Sequence, residues 1–310
     1  MAALAATGLA DIVAIAEPDD ASAAEALKID PGAEHLPSLE ALLGRDIDAV
    51  VIATPSAAHA AQSITALEAG KAVFCQKPLG RTAEEVAAVV AAARKADRLL
   101  DVDLSYRHTA GMAAIEPLLR QGALGHVFGV DLTFHNAYGP DKAWFYDPTQ
   151  SGGGCVMDLG VHLVDLVLWS LGWPEVVGVE SRLFAKGAPL ADPAATVEDY
   201  AVATLDLAGG TVVRLACSWG LQAGRDAVIA AEFYGTEGGA SLRNVNGSFF
   251  DLVAERHRHT TAEALTALPD DWGGRAAVHW LTRLAQGARF DGEAANLVTV
   301  ARVLDAIYGR

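Results

Sequence analysis

Asp48–Pro78 reads DAVVIATPSAAHAAQSITALEAGKAVFCQKP, and its reading decides the fold. Residues 48–53 (DAVVIA) and 72–75 (AVFC) are short, continuously apolar, β-branched runs of the kind that parallel strands buried on both faces require. Between them, 57–69 is alanine-rich and helix-forming, and Gly70 is placed as its C-terminal stop. Strand, helix and strand in that order make a right-handed crossover unit of a parallel sheet. Pro78 cannot extend the pairing, so Lys77 stands at a strand end, where ligands bind in open α/β sheets.

The pattern continues outward. DIVAIA at 11–16 and LLDVDL at 99–104 read as further strands, and 19–28 and 82–96 as helices, the latter opened by Thr82 with Glu85 as a capping box. Residues 1–105 are therefore expected to form a Rossmann-type, doubly wound parallel sheet. After a helix at 109–120, Gly122 and Gly125 break the pattern and 127–135 alternates as a half-buried strand. Alternating runs at 199–207, 211–217 and 228–234, with Gly-Gly turns at 209–210 and 238–239, predict a mainly antiparallel sheet. Residues 185–196 read as a loop, and helices near 275–287 and 293–308 close the chain. Residues 106–310 are expected to be a second, α+β domain.

At 310 residues and 52% hydrophobic content, two domains with a large core are possible. A net charge of −16 sets the chain against nucleic acid and anionic membrane surfaces as partners. Cys75, Cys155 and Cys217 are odd in number and widely spaced, which suggests neither a disulfide framework nor a thiolate zinc site and points to a cytoplasmic protein. Met1–Ala10 lacks the basic region of a signal peptide, and no apolar run is expected to reach the roughly 18 residues of a membrane span.

Chemistry gathers in Ser151–His162, SGGGCVMDLGVH. Four-residue spacing puts Asp158 and His162 on one helical face, and glycines with free N–H groups at a helix start could hold a polar substrate against them. That is the pattern of a proton-transfer site. The same helix carries Leu159, Leu163, Leu166 and Val167, so His162 could equally be a hydrogen-bonded core residue. An acid and a histidine at this spacing could ligate a metal, but no third or fourth ligand is near, and none is expected.

Taken together, Thr54-Pro55-Ser56-x-x-His59, Ala66-Leu67-Glu68-Ala69-Gly70-Lys71, Gln76-Lys77-Pro78, Leu119-x-x-Gly122-x-Leu124-Gly125, the GGG-x-x-x-D-x-G-x-H run at 152–162 and Tyr234-Gly235-Thr236-Glu237-Gly238-Gly239 occur in an order that resembles the glucose-fructose oxidoreductase / inositol dehydrogenase (Gfo/Idh/MocA) family over almost the whole chain. The resemblance implies an NAD(P)-dependent oxidoreductase acting on a secondary alcohol of a sugar, inositol or related polyol. Lys77, Asp158 and His162 then occupy the catalytic positions, and Glu17, Thr54, Pro55, His59, Gln76 and Lys77 line the cofactor. Glu17 favours NAD over NADP, because a carboxylate there repels a ribose phosphate. Tyr106, Arg107 and Trp144 are candidate substrate contacts beside Asp158 and His162, and Asp165 shares the helical face of His162, where it could orient that ring or simply face solvent. The open sheet of the second domain implies a homo-oligomer, a dimer or tetramer.

Two departures stand out. Gln76 replaces the glutamate of the family's E-K-P motif, which removes a negative charge beside Lys77. No G-x-G-x-x-G loop occurs; counted back about 20 residues from Glu17, it would fall at or before residue 1. The expectation is an N-terminally truncated nucleotide-binding domain in which Met1–Thr7 is the tail of a first helix, with true loss of the loop as the alternative. Two further functions stay open: an NAD-dependent glycoside hydrolase of the same fold, and a non-catalytic sugar-binding or regulatory protein.

Overall fold

The computed structural model describes residues 1–310. Its first part runs α1 (Ala2–Ala5), β1 (Ala14–Ala16), α2 (Asp20–Ile29), β2 (Glu34–Leu36), α3 (Leu39–Leu43), β3 (Ala49–Ile52), α4 (Ser56–Glu68), β4 (Ala72–Cys75), α5 (Ala83–Ala96) and β5 (Leu100–Val102). All strand pairs here are parallel, in two pieces: β1 with β2, and β3-β4-β5. Strand β4 is central and buried throughout. Val73 and Cys75 face the main core, while Ala72 and Phe74 face a smaller cluster containing Trp280 and Leu281, the two-residue period of a strand covered on both sides. Helix α1 is a four-residue helix within Met1–Thr7 and has no buried residue. Thr82 Oγ1 accepts the Glu85 N–H at 3.2 Å, but the Glu85 carboxylate reaches back to the N–H of Arg81, at 2.7 Å, so half of the capping box lands one residue early.

The second part contains α6 (Ala110–Arg120), β6 (Val127–Asn136), α7 (Pro148–Ser151), a π-helical turn at Val156–Gly160, α8 (Val161–Ser170), β7 (Val176–Ala185), β8 (Ala188–Pro189), β9 (Tyr200–Leu207), β10 (Val212–Ser218), β11 (Ala227–Gly235), β12 (Gly239–Asn244), β13 (Leu252–Arg258), β14 (Thr261–Ala264), α9 (Arg275–Ala285) and α10 (Asn296–Tyr308). One nine-stranded sheet has the order β14-β13-β12-β11-β6-β10-β9-β7-β8. Every pair is antiparallel except β6 with β10, so the sheet is mixed. The exception follows from connectivity: the long excursion through α8, β7 and β9 separates β6 from β10, and only such a crossover can bring two strands side by side in parallel.

One face of this sheet packs Val130, Leu132, Phe134, Ala203, Leu205, Val213, Leu215 and Phe233 into the core, and the other carries Asp131, Thr133, Arg182, Thr204 and Arg214. The core covers α8 on nearly all sides, as befits a helix that is apolar all round. Contrary to the expectation from apolar runs, Pro148–Ser170 is long and apolar enough to cross a membrane, and 94% of its most apolar window is buried inside the fold. A further difference concerns the boundary at 105/106. Chain order and space diverge there, because α9 returns to cover the β3-β4-β5 sheet through Trp280, whose ring lies tilted against that of Phe74 with centroids 5.5 Å apart, and α10 packs on α5.

Candidate active site

Strand ends of the first part and the π-helical turn of the second meet at one ion pair. Lys77, two residues past β4, donates its Nζ to the Asp158 backbone carbonyl at 2.8 Å and to Asp158 Oδ1 at 2.5 Å. Trp219, just after β10, donates its indole N–H to Asp158 Oδ2 at 3.0 Å. Burial pushes the Asp158 carboxyl up, but Lys77 and the two hydrogen bonds overcome it and hold the group below its usual range. The charge of Lys77 is thus supported from the second part of the chain, and Gln76 does not leave it without a partner. Instead Gln76 donates its amide to Asp103 Oδ2 at 2.7 Å across to the end of β5, where a glutamate would meet a like charge.

His162 follows in α8. It is 8% exposed, and its Nδ1 is buried without a hydrogen-bond partner. Burial, reinforced by the Lys77 ammonium and opposed by Asp158, pulls its pKa from 6.5 to about 3. A histidine titrating near neutrality is therefore replaced by one that is neutral throughout the physiological range. Asp158 and His162 do come to the same region, although the intervening backbone is a π turn rather than the regular helix anticipated from their spacing, a feature frequent at functional sites.

The glycine run does something other than hold a ligand. Gly152, Gly153 and Gly154 are buried, and a Cβ at Gly154 would lie 1.8 Å from the Glu198 carbonyl oxygen, one at Gly153 2.0 Å from the Tyr308 hydroxyl. The N–H groups of Gly154 and Val156 donate to the Glu198 carboxylate, and that of Cys155 to the Glu198 carbonyl. These donors are unavailable to substrate, which corrects the reading of the turn as a ligand cradle.

Other singled-out residues take these places. Glu17 follows β1, its carboxylate accepting from the Asp19 N–H at 2.9 Å and its carbonyl from His35. Thr54 and Pro55 follow β3, with the Thr54 hydroxyl on Gln62 at 2.7 Å. Glu17, Thr54, Gln76, Lys77 and Asp103 thus share the carboxyl-end edge of the parallel strands, the edge on which a dinucleotide lies in this class of sheet, and a carboxylate at the end of β1 suits ribose hydroxyls. His59 is 2% exposed, with Nδ1 2.6 Å from the Pro78 carbonyl and Nε2 2.6 Å from the Thr54 carbonyl. It ties the loop after β3 to the turn carrying Lys77, and both ring nitrogens are occupied by protein.

Tyr106 is nearly buried, its ring edge-on to that of His162 at 5.0 Å. The Arg107 guanidinium makes a two-point pair with Asp165 and lies over Trp169 and Trp173. Asp165 therefore neither faces solvent nor orients His162. Trp144 stacks on Phe145 at 3.8 Å, and Phe145 and Tyr146 both meet Trp219 edge-on, so this aromatic run reaches the site through Trp219. Sequence reading missed Trp219, Asp103 and Glu198. A lone tryptophan after an alternating strand gives a faint signal, and nothing local marks Glu198 as buried.

This is a two-part nucleotide-binding oxidoreductase architecture, with a lysine from the end of a parallel strand facing an acid and a histidine from a second, sheet-based part. Family comparison agrees. Residues 1–104 match the model described as an oxidoreductase family with an NAD-binding Rossmann fold, and residues 112–241 match the GFO/IDH/MocA C-terminal domain. The chain belongs to the Gfo/Idh/MocA oxidoreductase family, and its first part is an NAD-binding Rossmann domain. Similar proteins include D-glucoside 3-dehydrogenase of Escherichia coli (strain K12), 28% identical over 70% of this chain and 68% of that protein, and inositol 2-dehydrogenase of Acidothermus cellulolyticus, 29% identical over 94% and 84%. In fold, the chain is similar to levoglucosan dehydrogenase in complex with NADH and levoglucosan, with a TM-score of 0.81 at 23% identity over 96% of this chain and 86% of that one.

Proposed function

We propose that the chain is an NAD-dependent dehydrogenase that moves a hydride between nicotinamide and a secondary alcohol of a sugar, inositol or related polyol, with Lys77, Asp158 and His162 as its reacting groups. The observation that carries this reading is the Lys77–Asp158 pair, which joins the edge of the parallel sheet to the helix bearing His162. NAD supplies the hydride acceptor. Glu17 would bond its ribose hydroxyls, with Thr54, Pro55, Gln76 and Lys77 along the same edge. Lys77, already a donor to two oxygens, would hold the substrate oxygen and stabilise the alkoxide as the hydroxyl proton departs. Neutral His162 is in its proton-accepting form, and Asp158 favours the imidazolium that results.

Tyr106 and Arg107 act in this reading through packing, the first against the His162 ring and the second on Asp165, leaving Phe145 and Tyr146, which meet Trp219, and Trp144 behind Phe145 as the aromatic surface beside the Asp158–Trp219 bond. Three free, buried cysteines suit a reducing, cytoplasmic setting. The polar face of the nine-stranded sheet, with its Arg214–Asp131 and Arg243–Glu232 pairs, would pair with a second copy to form a homo-oligomer.

Calorimetric titration with NADH, followed by turnover assays on levoglucosan, glucosides and inositols with NAD, tests the proposal. Binding of NADH with reduction of NAD by one of these alcohols is the expected outcome. Sugar binding without NADH binding would sink it in favour of a non-catalytic sugar-binding protein, and sugar release without net NAD reduction in favour of a glycoside hydrolase.

A further inference from the structure

Glu198 is 0% exposed, a buried carboxylate to which the proposed reaction gives no part. Its Oε1 accepts from the Val156 N–H at 2.8 Å, from the Gly154 N–H at 3.1 Å and from the Tyr308 hydroxyl at 2.7 Å, and its Oε2 accepts from the Gly154 N–H at 3.0 Å. Its backbone carbonyl accepts from the Cys155 N–H at 3.1 Å. One residue thus captures three successive backbone donors, at 154, 155 and 156, where the chain enters the π-helical turn. Such a run of N–H groups at the start of a helix is an anion site by its own electrostatics. Here the chain fills it from within.

We infer that Glu198 is the internal anion that seats the turn carrying Asp158, and so acts as a positioning residue for the Lys77–Asp158–His162 site. Three independent features converge on this. The carboxyl oxygens take three donors from the protein although burial raises the group's pKa, so rotation of the turn would strand buried acceptors. Gly154 approaches the Glu198 backbone so closely that no side chain fits between them. Tyr308 ties the same carboxylate to the end of α10, which packs on α5 and α8, so the seat is anchored to the body of the molecule. Asp158 lies two residues beyond Val156, and its two oxygens take bonds from Lys77 and Trp219. A shift of the turn must therefore alter both bonds.

The role rests on the proposed function for its catalytic meaning, but its geometric part can be read without substrate. The indole N–H of Trp219 reports on Asp158, and its NMR resonance is assigned with Trp219→Phe. Glu198→Gln keeps size and removes charge, placing an amide donor where the Gly154 N–H needs an acceptor; Glu198→Asp shortens the reach. In either folded variant the Trp219 resonance should shift, whereas Leu67→Ala, an equally buried change in the first part, should lower the melting temperature and leave it in place. In the wild-type protein, the amides of residues 154–156 should exchange with solvent as slowly as those of the core strands. An unmoved Trp219 resonance in a folded Glu198 variant, or exchange of those amides at loop rates, overturns the inference. If an alcohol substrate has been found, Glu198→Gln should lower kcat at least tenfold with the NADH dissociation constant unchanged. Failure of every alcohol to react would speak against the proposed function while leaving the resonance and exchange results decisive for the seat.

Discussion

The Lys77 ammonium bears on the ionisation of both its neighbours, second to burial at each. Burial raises the Asp158 carboxyl, and Lys77, by its charge and its hydrogen bond, is the largest influence opposing that, with Trp219 helping to hold the group below its usual range. Lys77→Met is expected to cut kcat about 100- to 1,000-fold, as loss of a donor to a developing oxyanion does, and to move the acid limb of the pH–rate profile upward; steady-state kinetics against pH check both. His162 gives a sharper expectation. With a pKa near 3 in the free protein, it loses no proton between about pH 5 and about pH 8, so kcat/KM should show no inflection from it there. An inflection near pH 6.5 that disappears in His162→Asn would contradict this assignment.

At the scale of elements, α8 is held by contacts that sequence periodicity does not show. The Arg107–Asp165 pair fastens it to the short 3-10 helix at Ser105–His108. Asp165 has a side chain only 3% exposed, so Arg107→Met should destabilise the fold by about 3–5 kcal/mol by leaving a buried charge unpaired. Converting both residues, with Asp165→Leu added, should recover much of that loss in urea unfolding. Ahead of α8, Gly154→Ala drives a Cβ into backbone rather than into a flexible side chain, and should displace the turn or prevent folding, seen as loss of soluble protein or of a cooperative melt. Boundaries of most helices and strands were legible because their periodicity and stop signals are local. The π turn was not, because the residue bonded to its first N–H groups, Glu198, lies more than forty residues away in the chain.

For the molecule as a whole, the buried His162 and the half-buried His108 both weaken the fold in acid. His162 and His108 have folded pKa values of about 3 and about 4 against an ordinary 6.5, both chiefly through burial. A base whose pKa is lowered by folding is neutral in the fold and charged when unfolded. As pH falls below about 6.5 the unfolded chain takes up protons that the fold refuses, and each such histidine costs about 1.4 kcal/mol per pH unit until its folded pKa is reached. The melting temperature should therefore drop steadily from about pH 6.5 to about pH 4, and less steeply in His108→Asn; an unchanged slope in that variant would place the loss elsewhere. Repeated βαβ units, the glycine stops and the positions of Lys77, Asp158 and His162 were determined by the sequence alone, since each depends on local period or on a short run of residues. Only the tertiary structure decided what those residues do: that Lys77 closes on Asp158, that the glycines make room for Glu198 and Tyr308 rather than for a ligand, that Arg107 belongs to Asp165, and that α9 covers the first sheet. Each of these is a contact between segments far apart in the chain, and burial and pairing arise where such segments meet.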